Sequence, residues 1–253
     1  MSSSVLCSPP SHLVPLVMHK LVEDMPVDWE DINHSIFENI VKFVGPHWTV
    51  FEPHTNSKKS GWCLTFDDGC SSDYEIAFPI LHNYKASAIF FLIIEKIGQK
   101  DYLNWSQIVE MHQYGMTFGS HSLSHQSMTR LSKKQVIQEF SRSKCILEEK
   151  LGAEVVSFSY PYGDYSRQLN KIGIDIGYQF LFTSEHGIAT QSKAVLPRNS
   201  IHSGMSWNDV MKVLNASLAT RFHWSLEDNA KGLVKMCLGR NSYTYLRDKI
   251  LRE

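Results

Sequence analysis

Two carboxylates stand side by side in Thr65-Phe66-Asp67-Asp68-Gly69, directly after an apolar run. Neighbouring side chains on an extended chain diverge, so the two acids suit different tasks. One can hold a metal ion while the other handles a proton on water or substrate. Gly69 lets the chain turn away without a steric penalty. Further on, Ser120-His121-Ser122-Leu123-Ser124-His125 carries two imidazoles four residues apart. If that segment turns helically, both rings share a face and can converge on one ion. Two histidines and one carboxylate, with water in the open positions, make a competent hydrolytic metal centre. Such an ion lowers the pKa of water and polarises a carbonyl. A third segment, Ser159-Tyr160-Pro161-Tyr162-Gly163, pairs Pro and Gly in a tight turn that can present a backbone N–H to a developing oxyanion. Taken singly, each piece has a plainer reading as a turn or as packing. Their occurrence together, each after a strand, favours chemistry.

The elements that must position these residues alternate in type. Strands are expected at 12–18, 61–66, 86–92, 116–120, 155–160 and 179–183. Helices are expected at 29–44 with Asp28 as cap, at 73–84 around Pro79, and at 105–114 behind Asn104. A longer helix runs from Ser132, with Gln135 in the capping-box position, to Gly152. Two more are expected at 166–176 and from Ser206, with Asp209, to about 219; the stretch from Arg221 to Glu253 also reads as helical. Short apolar strands alternating with amphipathic helices imply an α/β fold with a parallel sheet and right-handed crossovers. Five or more such units in 253 residues imply a closed or nearly closed barrel, with the chemistry at the C-terminal ends of its strands. Residues 1–12, rich in Ser and Pro, are expected to be a disordered tail, and 13–253 a single domain with a helical C-terminal extension.

The three motifs, in this order, resemble those of the polysaccharide deacetylase family (NodB homology, carbohydrate esterase 4). The resemblance spans about residues 13–215 and implies a distorted (β/α)7-type barrel holding one divalent cation, zinc first, with cobalt or nickel as alternatives. It implies Asp68, His121 and His125 as metal ligands and Asp67 as the base toward the attacking water. Pro161 and Tyr162 would form the oxyanion turn, through the Tyr162 N–H. Two features depart from the usual pattern. Ser159 stands where many members carry an Arg before the Pro-Tyr-Gly turn, and Arg198, in Leu196-Pro-Arg-Asn199, is the candidate to replace it. No late Leu-x-His motif supplies the general acid. The chain is in this respect similar to the exopolysaccharide-modifying branch, in which an early strand ends in Tyr-His; here Met18-His19 ends the first strand. His19 is therefore the first choice for the acid that protonates the leaving amine, followed by His186 and His202.

Bulk properties narrow the function further. The chain is 43% hydrophobic with a net charge of −1 and no basic stripe, which argues against nucleic-acid binding. No apolar run reaches membrane-spanning length. Five scattered cysteines without a CxxC pair suggest free thiols, and with no signal-like N-terminus the expected setting is cytoplasmic. Cys70, close to the acid pair, reads as a bystander. Trp48, Trp62, Trp105 and Trp207 could stack on a sugar, although core packing is the plainer reading. The leading expectation is removal of an acetyl group from an N-acetylated sugar, such as a precursor in surface polysaccharide biosynthesis. The rivals are a deacylase acting on a non-sugar amide and an inactive carbohydrate-binding member of the family.

Overall fold

The computed structural model describes residues 10–50, 60–190, 193–230 and 233–234. Eight parallel strands form one curled sheet: β1 (Leu13–Met18), β4 (Gly61–Phe66), β5 (Ile89–Leu92), β6 (Thr117–Ser120), β7 (Ser157–Ser159), β8 (Phe180–Phe182), β9 (Val195–Leu196) and β10 (Asn199–Ser200). Their order is β10-β1-β4-β5-β6-β7-β8-β9. The two edges of this sheet belong to one segment. Val195 and Leu196 pair with β8, whereas Asn199 and Ser200 pair with β1. Counting that interrupted segment once leaves seven strand positions, a single-domain distorted barrel of the expected kind.

Helices α1 (His34–Val44), α2 (Phe78–Asn83), α3 (Trp105–Gln113), α4 (Lys133–Leu151), α5 (Arg167–Ile176) and α6 (Trp207–Asn215) connect the strands. Capping follows the sequence signals. Asn104 with Gln107, Ser132 with Gln135 and Ser206 with Asp209 form reciprocal capping boxes, and Gly152 ends α4 in the left-handed conformation. The first helix differs from expectation. Asp31 accepts the amides of Val27 and Asp28, which closes a turn at 28–31 and leaves Asn33 as the cap. Two short strands, β2 (Lys20–Val22) and β3 (Asp31–Asn33), pair there and were not legible as strands. The stretch 73–77 is a π-helical turn leading into α2, and Pro79 sits in the first turn of α2, where a missing N–H is tolerated. Helix α6 stops at Asn215 because Ala216 turns left-handed; 218–230 and 233–234 are again helical. The rest of the expected C-terminal helix, 235–253, lies outside the described residues, as does most of the expected tail; at 12 the His12 carbonyl already accepts the Gly61 N–H. Among the described residues no helix is long and apolar enough to cross a membrane.

Strand parity decides what faces the barrel interior. Leu13, Cys63, Ile89, Phe91, Phe182 and Leu196 meet in a small inner cluster. The alternate residues Val14, Leu16, Leu64, Phe66, Phe90, Phe118 and Phe158 join the large core beneath the helices. Continuing the inward parity to the strand ends brings in Thr65, Asp67, His121, Ser159 and Arg198, all buried. The barrel is thus greasy below and polar at its C-terminal mouth. Gly119 is required on this inner face, since a Cβ there would run into the Phe91 ring.

Candidate active site

Asp67 follows β4, and its N–H bonds the Met18 carbonyl of the neighbouring strand. Its carboxylate receives a two-pronged contact from Arg198, Nη1 to Oδ1 at 2.6 Å and Nη2 to Oδ2 at 2.7 Å. The Ser159 hydroxyl donates to Oδ2 at 3.0 Å. Arg198 is itself fixed: its Nη2 donates to Ser159 Oγ at 2.7 Å, its Nη1 to Thr65 Oγ1 at 3.1 Å and its Nε to the Thr183 carbonyl at 3.1 Å. Phe91 and Phe182 flank its guanidinium. Burial alone would raise the Asp67 pKa, but Arg198, then His121 and His19, outweigh it and hold the carboxyl far below the usual carboxylate range. Arg198 thus reaches Asp67 from a late strand end, and Ser159 bonds to both of them.

Asp68 adopts a left-handed backbone, φ 77°, which swings its side chain away from that of Asp67. Its Oδ1 lies 3.4 Å from His121 Nε2 and 3.4 Å from His125 Nε2, and the two Nε2 atoms are 3.2 Å apart. The His pair does not converge through a helix. Residues 121–125 form a loop with Ser122 and His125 left-handed, at φ 71° and 59°. Buried Glu139 on α4 holds that loop by accepting the Leu123 N–H at 2.8 Å, the Ser124 N–H at 3.0 Å and the Ser124 hydroxyl at 2.7 Å. Ser120 Oγ accepts the Ser122 N–H and Ser122 Oγ the His125 N–H. Glu139 lies on α4 and carries no local motif, so nothing in the sequence marks it as a support of the site.

A divalent metal fits the Asp68, His121 and His125 trio. One ligand atom from each lies within 4.8 Å of the others. His121 Nδ1 sits 2.9 Å from the Ser159 carbonyl, so it carries the proton and leaves an Nε2 lone pair facing Asp68. Asp68 Oδ1 is buried yet has no hydrogen-bond partner. Burial, followed by the neighbouring His121, lowers the His125 pKa, so this ring too presents a lone pair. Beside them Asp73 is fully buried with both oxygens unpartnered; burial, then Asp68 and Asp67, push its pKa up. Arg198 balances Asp67, and the charge left for a bound cation to offset is that of Asp68.

Pro161–Gly163 forms the expected tight turn, with Tyr162 left-handed at φ 60° and its ring centroid 4.8 Å from that of His125. Gly163 is required, because a Cβ there would lie 2.7 Å from Ser184 Oγ. His19 follows β1 on the inward parity, level with Asp67, and its charge bears on both Asp67 and His125. His186 is engaged elsewhere: its Nδ1 lies 3.0 Å from Asp228 and its ring stacks on Trp224. His202 stacks on Trp29. Burial of the Cys70 thiol, then Asp73 and Asp68, push its pKa up, in keeping with a bystander.

Residues 54–181, half of the chain, match the family model described as polysaccharide deacetylase. The chain is 33% identical over 145 residues to YxkH of Bacillus subtilis (strain 168), a protein named as a polysaccharide deacetylase; the match covers 56% of this chain and 52% of that one. It is 25% identical over 197 residues to the poly-beta-1,6-N-acetyl-D-glucosamine N-deacetylase of Staphylococcus aureus (strain MRSA252), covering 67% of this chain and 64% of that protein. The chain thus spans about half to under two thirds of the length of these relatives. Among solved structures, the Streptococcus pyogenes deacetylase PplD in complex with acetate shares the fold with a TM-score of 0.72 at 24% identity, over 81% of this chain and 99% of that one. IcaB from Ammonifex degensii does so with a TM-score of 0.69 at 24% identity, over 81% and 97%. With the acid pair, the histidine pair and the Pro-Tyr-Gly turn meeting at one barrel mouth, the chain belongs to the polysaccharide deacetylase family.

Proposed function

We propose that the chain is a metal-dependent hydrolase that removes the acetyl group from an N-acetylated sugar. The observation that carries this reading is the division of labour between two adjacent acids: Asp67 locked to Arg198, Asp68 turned to the two histidines. Asp68, His121 and His125 would hold one divalent ion, with zinc favoured by the two imidazoles and single carboxylate. Bound there, the ion supplies Lewis acidity toward water and the acetyl carbonyl.

The remaining steps fall to side chains and backbone of this chain. Asp67, kept ionised by Arg198, takes a proton from the attacking water. The Tyr162 N–H donates to the oxyanion as the carbonyl becomes tetrahedral. His19, across the mouth from the His pair, protonates the leaving amine. The free amino sugar and acetate then leave. His202, whose pKa burial lowers to about 4, carries little proton at neutral pH and is poorly suited to act as the acid. The sugar is supported by relatives named for action on poly-beta-1,6-N-acetyl-D-glucosamine. A cytoplasmic setting, with a lipid-linked glycan precursor as substrate, belongs to the same proposal; the free thiols Cys63, Cys70 and Cys145 support it.

The test is acetate release by chain loaded with Zn²⁺ or Co²⁺, from a panel of N-acetylated sugars, oligosaccharides and linked precursors. His19→Asn is expected to retain metal and lose turnover. Metal bound by the wild-type chain with no acetate released from any of these would overturn the proposal.

A further inference from the structure

The mouth of the barrel has a second built feature beside the reacting centre. The turn that Asp31 closes carries Trp29, and the indole lies face to face with His202, ring centroids 3.6 Å apart and planes 20° off parallel. Several contacts hold the pair in place. The Ser203 N–H donates to the Trp29 carbonyl at 3.1 Å. Gly204 leaves room for both rings, since a Cβ there would meet Trp29 Cζ3 at 3.3 Å and His202 Nδ1 at 3.4 Å. Despite this anchoring, 43% of Trp29 remains exposed, as are Met25 and Val27 on the same loop. An indole covered on one face and open on the other, with Met25 and Val27 exposed on the same loop, leaves apolar surface available to a ligand.

Its position is given by strand register. Leu16 and Val17 of β1 pair with Asn199 and Ser200, so His202 stands level with His19. Met18 pairs with Phe66, so His19 stands level with Asp67. The backbone of His202 is therefore two strand spacings from that of Asp67, about 10 Å along the mouth, and Trp29 lies against its ring. A ring seated there is beside the reacting sugar and not in its place.

We propose that Trp29, backed by His202, is a stacking platform for the sugar unit next to the one deacetylated, so that the chain prefers an oligomeric glycan to a monosaccharide. This rests on the deacetylase reading for the identity of the reacting unit. The chemistry is the fit of a pyranose C–H face to an electron-rich ring, for which indole is the best of the side chains.

The experiment titrates a short oligomer of N-acetylglucosamine, and separately the monosaccharide, into chelator-treated chain by calorimetry. Wild type is compared with Trp29→Ala and Trp29→Phe. Trp29→Ala is expected to weaken oligomer binding about tenfold, about 1.4 kcal/mol, with the monosaccharide unaffected. Trp29→Phe, which keeps a smaller ring against His202, is expected to weaken the oligomer by about threefold and serves if the Ala variant does not fold. Oligomer binding that ignores both substitutions, equal weakening for oligomer and monosaccharide, or no oligomer binding by wild type would each overturn the platform. Trp29-dependent oligomer binding without acetate release from the metal-loaded wild type would support the platform and sink the deacetylase reading instead.

Discussion

Arg198→Met removes the guanidinium while keeping most of the side-chain volume, and it isolates the electrostatic core of the site. Asp67 and Arg198 are 3% and 1% exposed. In the variant the Asp67 carboxylate loses both contacts at 2.6 and 2.7 Å and keeps the Ser159 hydroxyl at 3.0 Å, with His121 Nε2 farther off at 3.9 Å. The Thr183 carbonyl loses its donor as well. Removing one partner of a buried ion pair costs about 3–5 kcal/mol. At roughly 2–4 °C per kcal/mol for a domain of this size, the melting temperature should fall by roughly 6–20 °C. Urea denaturation of chelator-treated chain, followed by far-UV circular dichroism, gives the free energy without a contribution from bound metal. The double variant Arg198→Met with Asp67→Asn leaves no uncompensated charge and should recover much of the loss, with a coupling energy of about 2–3 kcal/mol. If instead the two substitutions add to within about 0.5 kcal/mol, the pair is not the coupled unit described, and the account of how Asp67 stays ionised fails.

The two acids should separate in function. Asp67→Asn is expected to keep the metal and lose about 10²–10⁴ in turnover, whereas Asp68→Asn should lose metal affinity first. Equal metal loss in both variants, measured by atomic absorption after dialysis, would contradict the division of roles. Glu139→Gln cannot accept all three loop bonds and is expected to weaken metal binding about 10–100-fold with the fold retained. A metal titration matching wild type would show that the loop is held without it. His202 bears on acid stability. Burial lowers its folded pKa to about 4; Asp209 opposes this and His186 adds to it. The unfolded chain, with an ordinary value near about 6.5, then binds the extra proton, so stability falls as pH drops from about 6.5 toward 4. His202→Gln should flatten that part of the urea-midpoint profile, and two parallel profiles would refute it.

Much of the site was legible because its residues sit at strand ends and carry their own turn chemistry. The Asp pair before Gly69, His121 and Arg198 each lie one or two residues past a strand, where parity decides which way they face, and His125 and the Pro-Tyr-Gly turn follow within five residues. The capping boxes at Asn104, Ser132 and Ser206 were equally local, and the structure forms all three. The start of α1 was not legible. The choice between Asp28 and Asn33 as cap depends on Asp31 engaging two amides across a turn and on β2 pairing with β3.

What the sequence determined alone was composition, order and period: an α/β barrel, its polar mouth, and the residue types able to hold a metal and move a proton. What only the tertiary structure decided was convergence. His121 and His125 meet through a loop with left-handed residues held by Glu139, not through the helical spacing that their interval suggested. Asp67 is ionised in a buried place because Arg198, 131 residues later, reaches it from the segment that spans the sheet edges. Trp29 becomes an exposed platform only because His202 returns beside it at the far strand. Local geometry follows from neighbouring residues; contacts between distant ones follow from how the sheet curls, and strand register alone sets which of them share the mouth.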